Sequence, residues 1–202
     1  MLFHNMKQTI IDAYLVCKFK QSNAGVSFGQ NIHVKNPQYI ECGSHVVIGE
    51  GSRLLCWDSY RGEQKTSPRI VLGNNVRATR NLTIQCANSV RIHDNVLIAS
   101  DVFIIDYNHG MNPAPTSYLE NPLDVHSVEI CEGAWLCNNV IILPGVTIGK
   151  KSIIGAGSVV SKNIPDYSIA VGNPARVVKI FNHEIGQWVK VDNSDYIPRS
   201  EI

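Results

Sequence analysis

The chain has 202 residues, with 18 Lys+Arg against 17 Asp+Glu and a formal net charge of +1. That length suits one domain with small appendages. The near-neutral balance excludes an electrostatically driven nucleic-acid binder, which needs a basic face, and an acidic disordered tail. Charged residues make up 17%, below the ~25% of an average soluble domain, so either the core is large for this length or partners cover some of the surface. The 23 Ile and 21 Val against 11 Leu favour strands, because β-branched side chains pack well on a pleated surface.

In chain order, residues 5–19 come first. Met6, Ile10, Tyr14 and Val16 or Phe19 recur near helical spacing and predict a short amphipathic helix capping the N-terminal end. Its polar face is not strongly basic, so weak membrane-surface association is the lesser reading. No run approaches the ~18 apolar residues of a transmembrane helix. Asp12 interrupts the apolar stretch and no small-residue cleavage site follows, so a signal peptide is not expected. The six cysteines (Cys17, Cys42, Cys56, Cys86, Cys131, Cys137) include no C-x-x-C pair. They read as reduced thiols of a cytoplasmic protein rather than metal ligands.

The repeat decides the fold. From Ile130 the chain runs ICEGAW, LCNNVI, ILPGVT, IGKKSI, IGAGSV, with aliphatics opening each hexad at Ile130, Leu136, Ile142, Ile148 and Ile154. A small or β-branched residue follows four later, at Ala134, Val140, Val146, Ser152 and Ser158. Upstream copies open at Ile98, Ile92, Leu72 and Ile48, and weaker ones at Ala78, Cys42 and Phe28. A period of six fits neither a helix nor a plain alternating strand. It fits a short strand and a tight corner, repeated, with Gly, Asn and Asp supplying the corner backbone. Such a chain winds into a prism whose inward aliphatics stack in ladders, with three faces per coil.

Breaks in phase mark two insertions. Ile104 opens a hexad and the next clear opener is Ile130, so residues 106–129 are a loop long enough to carry function. A second insertion covers 56–69, with Trp57 and Tyr60 as anchors. Pro165 marks the end of the regular coils. The expected organisation is a capping segment at 1–25, a repeat domain at 26–180, and a tail at 181–202 that packs back or frays.

Three segments carry a resemblance: RIHDNVLIASDVFIIDYNHG (Arg91 to Gly110), CEGAWLCNNVIILPGVTIG (Cys131 to Gly149) and IGAGSVVSKNIPDYSIAVGNPARVVK (Ile154 to Lys179). Over residues 26–180 the chain resembles the hexapeptide-repeat acyltransferases of the maltose/galactoside O-acetyltransferase group. Its D-x-N-H-G form is closer to the branch that acetylates sugars of lipopolysaccharide, capsule and exopolysaccharide. The resemblance implies an all-β left-handed parallel β-helix with a protruding loop. It also implies a homotrimer, acetyl-CoA held between neighbouring helices, a sugar acceptor and no catalytic metal.

Acetyl transfer to a hydroxyl needs a base, oxyanion donors and a means of holding both substrates. Histidine suits the base, because its pKa of ~6.5 lies near working pH. Of seven histidines, His109 alone sits in the Asp106-Tyr107-Asn108-His109-Gly110 motif at the loop root, the family's catalytic position. The resemblance implies direct attack by the acceptor hydroxyl, with no acyl-enzyme. Asp106, Glu120 and Asp124 are the candidates to orient His109, and Asp106 alternatively caps a turn. Asn81, Asp106 and Asn108 are the acceptor-side candidates; the family's usual Asn is replaced by Thr79. On the cofactor side the resemblance implies Trp135 and Asn138 along the pantetheine channel and Ala156 between Gly155 and Gly157. It implies Ser161, Lys162, Arg176 and Lys179 near the nucleotide phosphates, where Arg binds bidentately and Lys as a point charge.

Three other readings stand beside it. A non-catalytic repeat scaffold would show no acetyl-CoA-dependent thermal shift. A carbonic-anhydrase-like metal site needs three histidines on one ion, and the H-x4-H pair of that branch is absent, since His126 is the next after His109. N-acetylation of an amino sugar or antibiotic would share the base and the cofactor.

Overall fold

The computed structural model describes residues 14–191. The chain winds through three faces in fixed rotation. On the first face Gln21–Ser22, Ile40–Cys42, Ile70–Leu72, Val90–Ile92, Val128–Ile130 and Thr147–Ile148 pair in parallel, in that order. The third face carries His33–Lys35, Arg53–Cys56, Thr83–Cys86, Phe103–Ile105, Ile141–Ile142 and Val159–Val160. The second runs from Ser27–Phe28 through Val47–Ile48, Arg77–Ala78, Leu97–Ile98 and Trp135–Leu136 to Ile153–Ile154.

The hexad pattern produces this directly. Ile130, Leu136, Ile142, Ile148 and Ile154 are fully buried and stack on the equivalent residues of neighbouring coils. Fully burying such a side chain stabilises by roughly 1.5–3 kcal/mol. The residues four later, Ala134, Val140, Val146, Ser152 and Ser158, fill the corners and are buried as well. Backbone bonds run from coil to coil, as in Arg77 N to Val96 O at 3.0 Å, Leu97 N to Ala134 O at 3.0 Å and Trp135 N to Ser152 O at 2.8 Å. Corners turn on left-handed residues: Asn75, Asn95 and Gly133 on one edge, and Asn81, Asp101, Asn139 and Gly157 on another. Asn tolerates this conformation through its short polar side chain, and the side chains bond up the edge, Asn75 Nδ2 to Asn95 Oδ1 at 3.1 Å and Asn81 Nδ2 to Asp101 Oδ1 at 2.8 Å.

The pitch changes along the axis. Glu129 pairs with Thr147, and Ile141 with Val159, eighteen residues on. Earlier coils take twenty, as in Ser27 with Val47 and Thr83 with Phe103. The longer pitch leaves Ala87, Asn88 and Ser89 as the corner from the third face to the first in the third coil. Both insertions leave the helix at this same edge, one coil before and one coil after.

Coils begin earlier than 26, since Gln21–Ser22 already pairs with the first face. Tyr14, Leu15 and Val16 are helical; the rest of the helix expected over 5–19 lies outside the described residues, apart from Cys17 to Phe19, which are not helical. Ile164 bridges Ile148 on the first face, and the coils outlast Pro165, since Ser168–Gly172 pairs with the second face. Antiparallel strands Ala175–Asn182 and Gln187–Lys190 extend that face. The part of the expected 181–202 tail within the described residues, 181–191, therefore packs back, with Phe181 edge-on to Trp188; 192–202 lie outside the described residues.

Candidate functional site

The site is built at the edge joining the third face to the first. In the third coil this corner is tight, and Asp106, at the end of the fourth coil's strand, closes it from beside. Its fully buried carboxylate accepts from Ala87 N at 2.7 Å, Asn88 N at 2.8 Å and the Cys86 thiol at 3.3 Å. Burial raises the Asp106 carboxyl above its ordinary value, and the amide donors act against that. This corrects the expectation that Asp106 faces the acceptor or orients His109: its oxygens point into the coil below and serve the corner.

Beyond Asp106 the insertion is an ordered hairpin. Tyr107–His109 pairs antiparallel with Leu123–Val125, placing His109 opposite Leu123 and Asn108 opposite Asp124. Tyr107 donates to Gln85 Oε1, and burial pushes its hydroxyl up to about 12. Buried Asn121 ties the far arm, donating to Gly110 O at 2.7 Å and Asn112 O at 2.9 Å. Ser117 and Glu120 cap the short turn Tyr118–Glu120 reciprocally.

The shorter insertion reaches past the third coil and clasps this hairpin. Its own strands, Ser59–Tyr60 and Gln64–Lys65, pair antiparallel. Gln64 makes two bonds to the Leu123 backbone, receiving from its N at 2.6 Å and donating to its O at 3.0 Å. Tyr60 Oη donates to Leu119 O at 2.6 Å, and Arg61 Nη1 donates to the same oxygen at 2.9 Å. Tyr60 Oη also lies 3.2 Å from His109 Nδ1, with the two rings tilted at 58° and 5.4 Å between centroids. The spacing and composition of 56–69 singled out Tyr60 as an anchor; nothing in them pointed to Gln64 or Arg61.

His109 is exposed. Glu120 is engaged by Ser117 N at 3.2 Å and Asp124 by His126 Nε2 at 2.9 Å, so neither expected carboxylate orients His109. Among the other described histidines, His93 Nε2 pairs with Glu129 at 2.6 Å, His183 stacks edge-on with Tyr167 and Phe181, and His45 is a left-handed corner residue.

The expected cofactor residues fall elsewhere on the prism. Trp135 points outward from the second face, 42% exposed between Leu97 and Ile153. Asn138 and Ala156 sit at the edge between the second and third faces, where Asn138 Oδ1 accepts from Ser100 N at 3.0 Å. Asn81 is a corner residue of that edge. Ser161 and Lys162 are exposed on His109's own edge, two coils on. Arg176, also exposed, pairs with Val171, and Lys179 with Ile169. One face separates His109 from Asn138 and Ala156, roughly 15–20 Å for a strand and its corner.

Burial pushes the Cys42 thiol up to about 12 and raises Cys131 and Cys137, and the hydrogen bond with Cys56, then burial, raises Cys86. Among the described residues no group of three or more His, Cys, Asp or Glu could hold a metal ion, and no helix is long and apolar enough to cross a membrane.

Comparison with known proteins agrees with the fold. The family model described as bacterial transferase hexapeptide (six repeats) matches residues 127–162. The Escherichia coli (strain K12) protein WbbJ, which carries the name of a lipopolysaccharide biosynthesis O-acetyl transferase, is 36% identical over 166 residues, covering 78% of this chain and 80% of its own. The galactoside O-acetyltransferase of the same organism is 35% identical over 76% of this chain, and the match spans 63% of that relative's length. Among solved structures, a galactoside acetyltransferase in complex with coenzyme A superposes with TM-score 0.62 at 26% identity, covering 89% of this chain and 76% of that one. The coil is accordingly the left-handed parallel β-helix.

Proposed function

This chain belongs to the hexapeptide-repeat acetyltransferases, and from that premise we propose that it transfers acetyl from acetyl-CoA to a sugar hydroxyl in the synthesis of a surface polysaccharide or lipopolysaccharide, in the cytoplasm. The observation that carries the reading is the exposed imidazole of His109, held at one ring nitrogen on a clasped hairpin. Neutral His109 takes the proton of the acceptor hydroxyl as its oxygen attacks the acetyl carbonyl carbon. The C–S bond then breaks, and the imidazolium returns the proton to the departing CoA thiolate. The raised thiols favour this direct attack over an acyl-cysteine. Relatives named for O-acetyl transfer support the hydroxyl acceptor.

The separation of residues favours a site shared between copies. His109 and Lys162 lie on the edge between the third and first faces, whereas Asn138 and Ala156 lie on the edge between the second and third faces and Trp135 on the second face, which does not border His109's edge. In a homotrimer, one copy's edge meets another copy's face, and acetyl-CoA lies along that seam. Exposed Leu97 and Trp135 give the face an apolar strip suited to burial there. Asn108 and Asn81 contribute on the acceptor side. Lys162, Arg176 and Lys179, with Ser161 beside them, hold the nucleotide phosphates, and the backbone at Ala156 lets the pantetheine arm approach closely.

The test is thiol release from acetyl-CoA across a panel of sugars and polysaccharide intermediates. His109→Ala is expected to lose about a hundredfold or more in turnover while keeping an acetyl-CoA-dependent thermal shift. Normal turnover in that variant removes His109 as the base, and the absence of a thermal shift in the wild type favours a scaffold.

A further inference from the structure

We infer that Tyr60, carried by the 56–69 insertion, is the positioning residue that fixes the tautomer of His109 and so selects Nε2 as the base. The inference rests on the acetyl-transfer reading above and adds the group that orients its base. A phenol has one proton. Tyr60 lies 2.6 Å from Leu119 O, and a carbonyl can only accept, so that proton is committed there. The Tyr60 oxygen keeps lone pairs only for its second contact, His109 Nδ1 at 3.2 Å. That contact is a hydrogen bond only if the proton is on Nδ1. Neutral His109 is therefore the Nδ1–H form, and its unprotonated nitrogen is Nε2.

The clasp makes this arrangement stiff. Leu119 O is held by Arg61 as well as Tyr60, so the acceptor that commits the phenol proton is itself fixed. Leu123, paired directly opposite His109, is gripped by both polar ends of Gln64. Insertions from two different coils thus converge on one imidazole. A free histidine in water prefers the proton on Nε2, which would leave the attacking-side nitrogen without a lone pair; the Tyr60 contact reverses that preference. The orienting group here is a neutral phenol, since Glu120 and Asp124 are engaged elsewhere.

The experiment is ¹⁵N NMR of histidine-labelled full-length protein at a pH where His109 is neutral, with His109→Ala used to assign its signals. The wild type is expected to show His109 Nδ1 as the protonated, pyrrole-type nitrogen and Nε2 as the pyridine-type one. In Tyr60→Phe the pattern should move toward Nε2–H, with kcat falling about tenfold or more and the KM for acetyl-CoA unchanged. A wild-type spectrum with Nε2 protonated overturns the inference even if Tyr60→Phe does not fold. So does a folded Tyr60→Phe that keeps both the wild-type pattern and wild-type kcat. Failure of the base reading looks different: His109→Ala would retain turnover, whatever the spectrum shows.

Discussion

Asp106→Asn separates a structural carboxylate from an acceptor contact. The native oxygens of fully buried Asp106 receive Ala87 N at 2.7 Å and Asn88 N at 2.8 Å. An asparagine of the same shape offers one acceptor oxygen and one NH2. It satisfies one backbone amide and turns a donor toward the other, leaving two buried N–H groups without partners. Hydrogen bonds to charged groups are worth roughly 1.5–3 kcal/mol, and an orphaned buried donor costs roughly 1–3 kcal/mol. Release from burying a charge offsets part of this, so the net loss is about 2 kcal/mol. For a chain of this length that is a fall in Tm of about 4–8 °C. Thermal melts followed by circular dichroism at pH 7 read it directly, and thiol release well below Tm should change less than about tenfold, because Tyr60 and Gln64 still hold the hairpin. A Tm within about 1 °C of wild type, together with a large rise in acceptor KM, would refute the assignment of Asp106 to the corner.

Other consequences follow from the ladders and charges. Ile142→Ala removes a fully buried rung of the third face and should cost about 2–5 kcal/mol in denaturant unfolding; a change under 1 kcal/mol would contradict the stacked core. Glu41 is held down at about 2 by Arg69, at 2.8 and 3.1 Å, and Lys20, at 2.8 Å. Because its folded value lies below the ordinary 4.5, its contribution is complete above that pH and fades as pH falls toward 2. Both cations are substantially solvated, so Glu41→Gln should cost about 1 kcal/mol at pH 7, with the difference closing in acid melts; a difference that widens in acid would refute it. Lys162→Ala or Arg176→Ala should raise the KM for acetyl-CoA more than it lowers kcat, and an unchanged KM would exclude the phosphate role.

The repeat was readable because one residue type per hexad carries the burial, and every opener from Ile130 to Ile154 is a rung. The weaker openers Phe28, Cys42 and Ala78 are buried too, although Cys and Ala alone would not have declared a core position. The twenty-residue pitch was less legible, since its extra residues, such as Ala87 and Asn88, are ordinary corner types whose partner is a carboxylate eighteen or more positions away. His109 could be located by motif, whereas its partner could not. Carboxylates near it in sequence were natural candidates, yet Glu120 and Asp124 are consumed by Ser117 and His126. Tyr60 lies forty-nine residues earlier and meets His109 only because two insertions leave the same edge two coils apart. The hairpin within 106–129 was hidden for a similar reason: Tyr60 and Gln64 from the other insertion, together with its own Asn121, hold it, rather than any alternating apolar pattern.

The most direct test of the shared site is complementation between two variants. His109→Ala removes the base from one edge, and Ala156→Trp fills the corner at the far edge of the neighbouring face; each alone should be inactive in thiol release. If acetyl-CoA lies at a seam where one copy supplies His109 and another supplies Ala156, co-expressed and co-purified mixed oligomers regain a measurable fraction of wild-type turnover. Mixed oligomers as inactive as either parent would contradict the account, placing both residues in a site that a single copy completes.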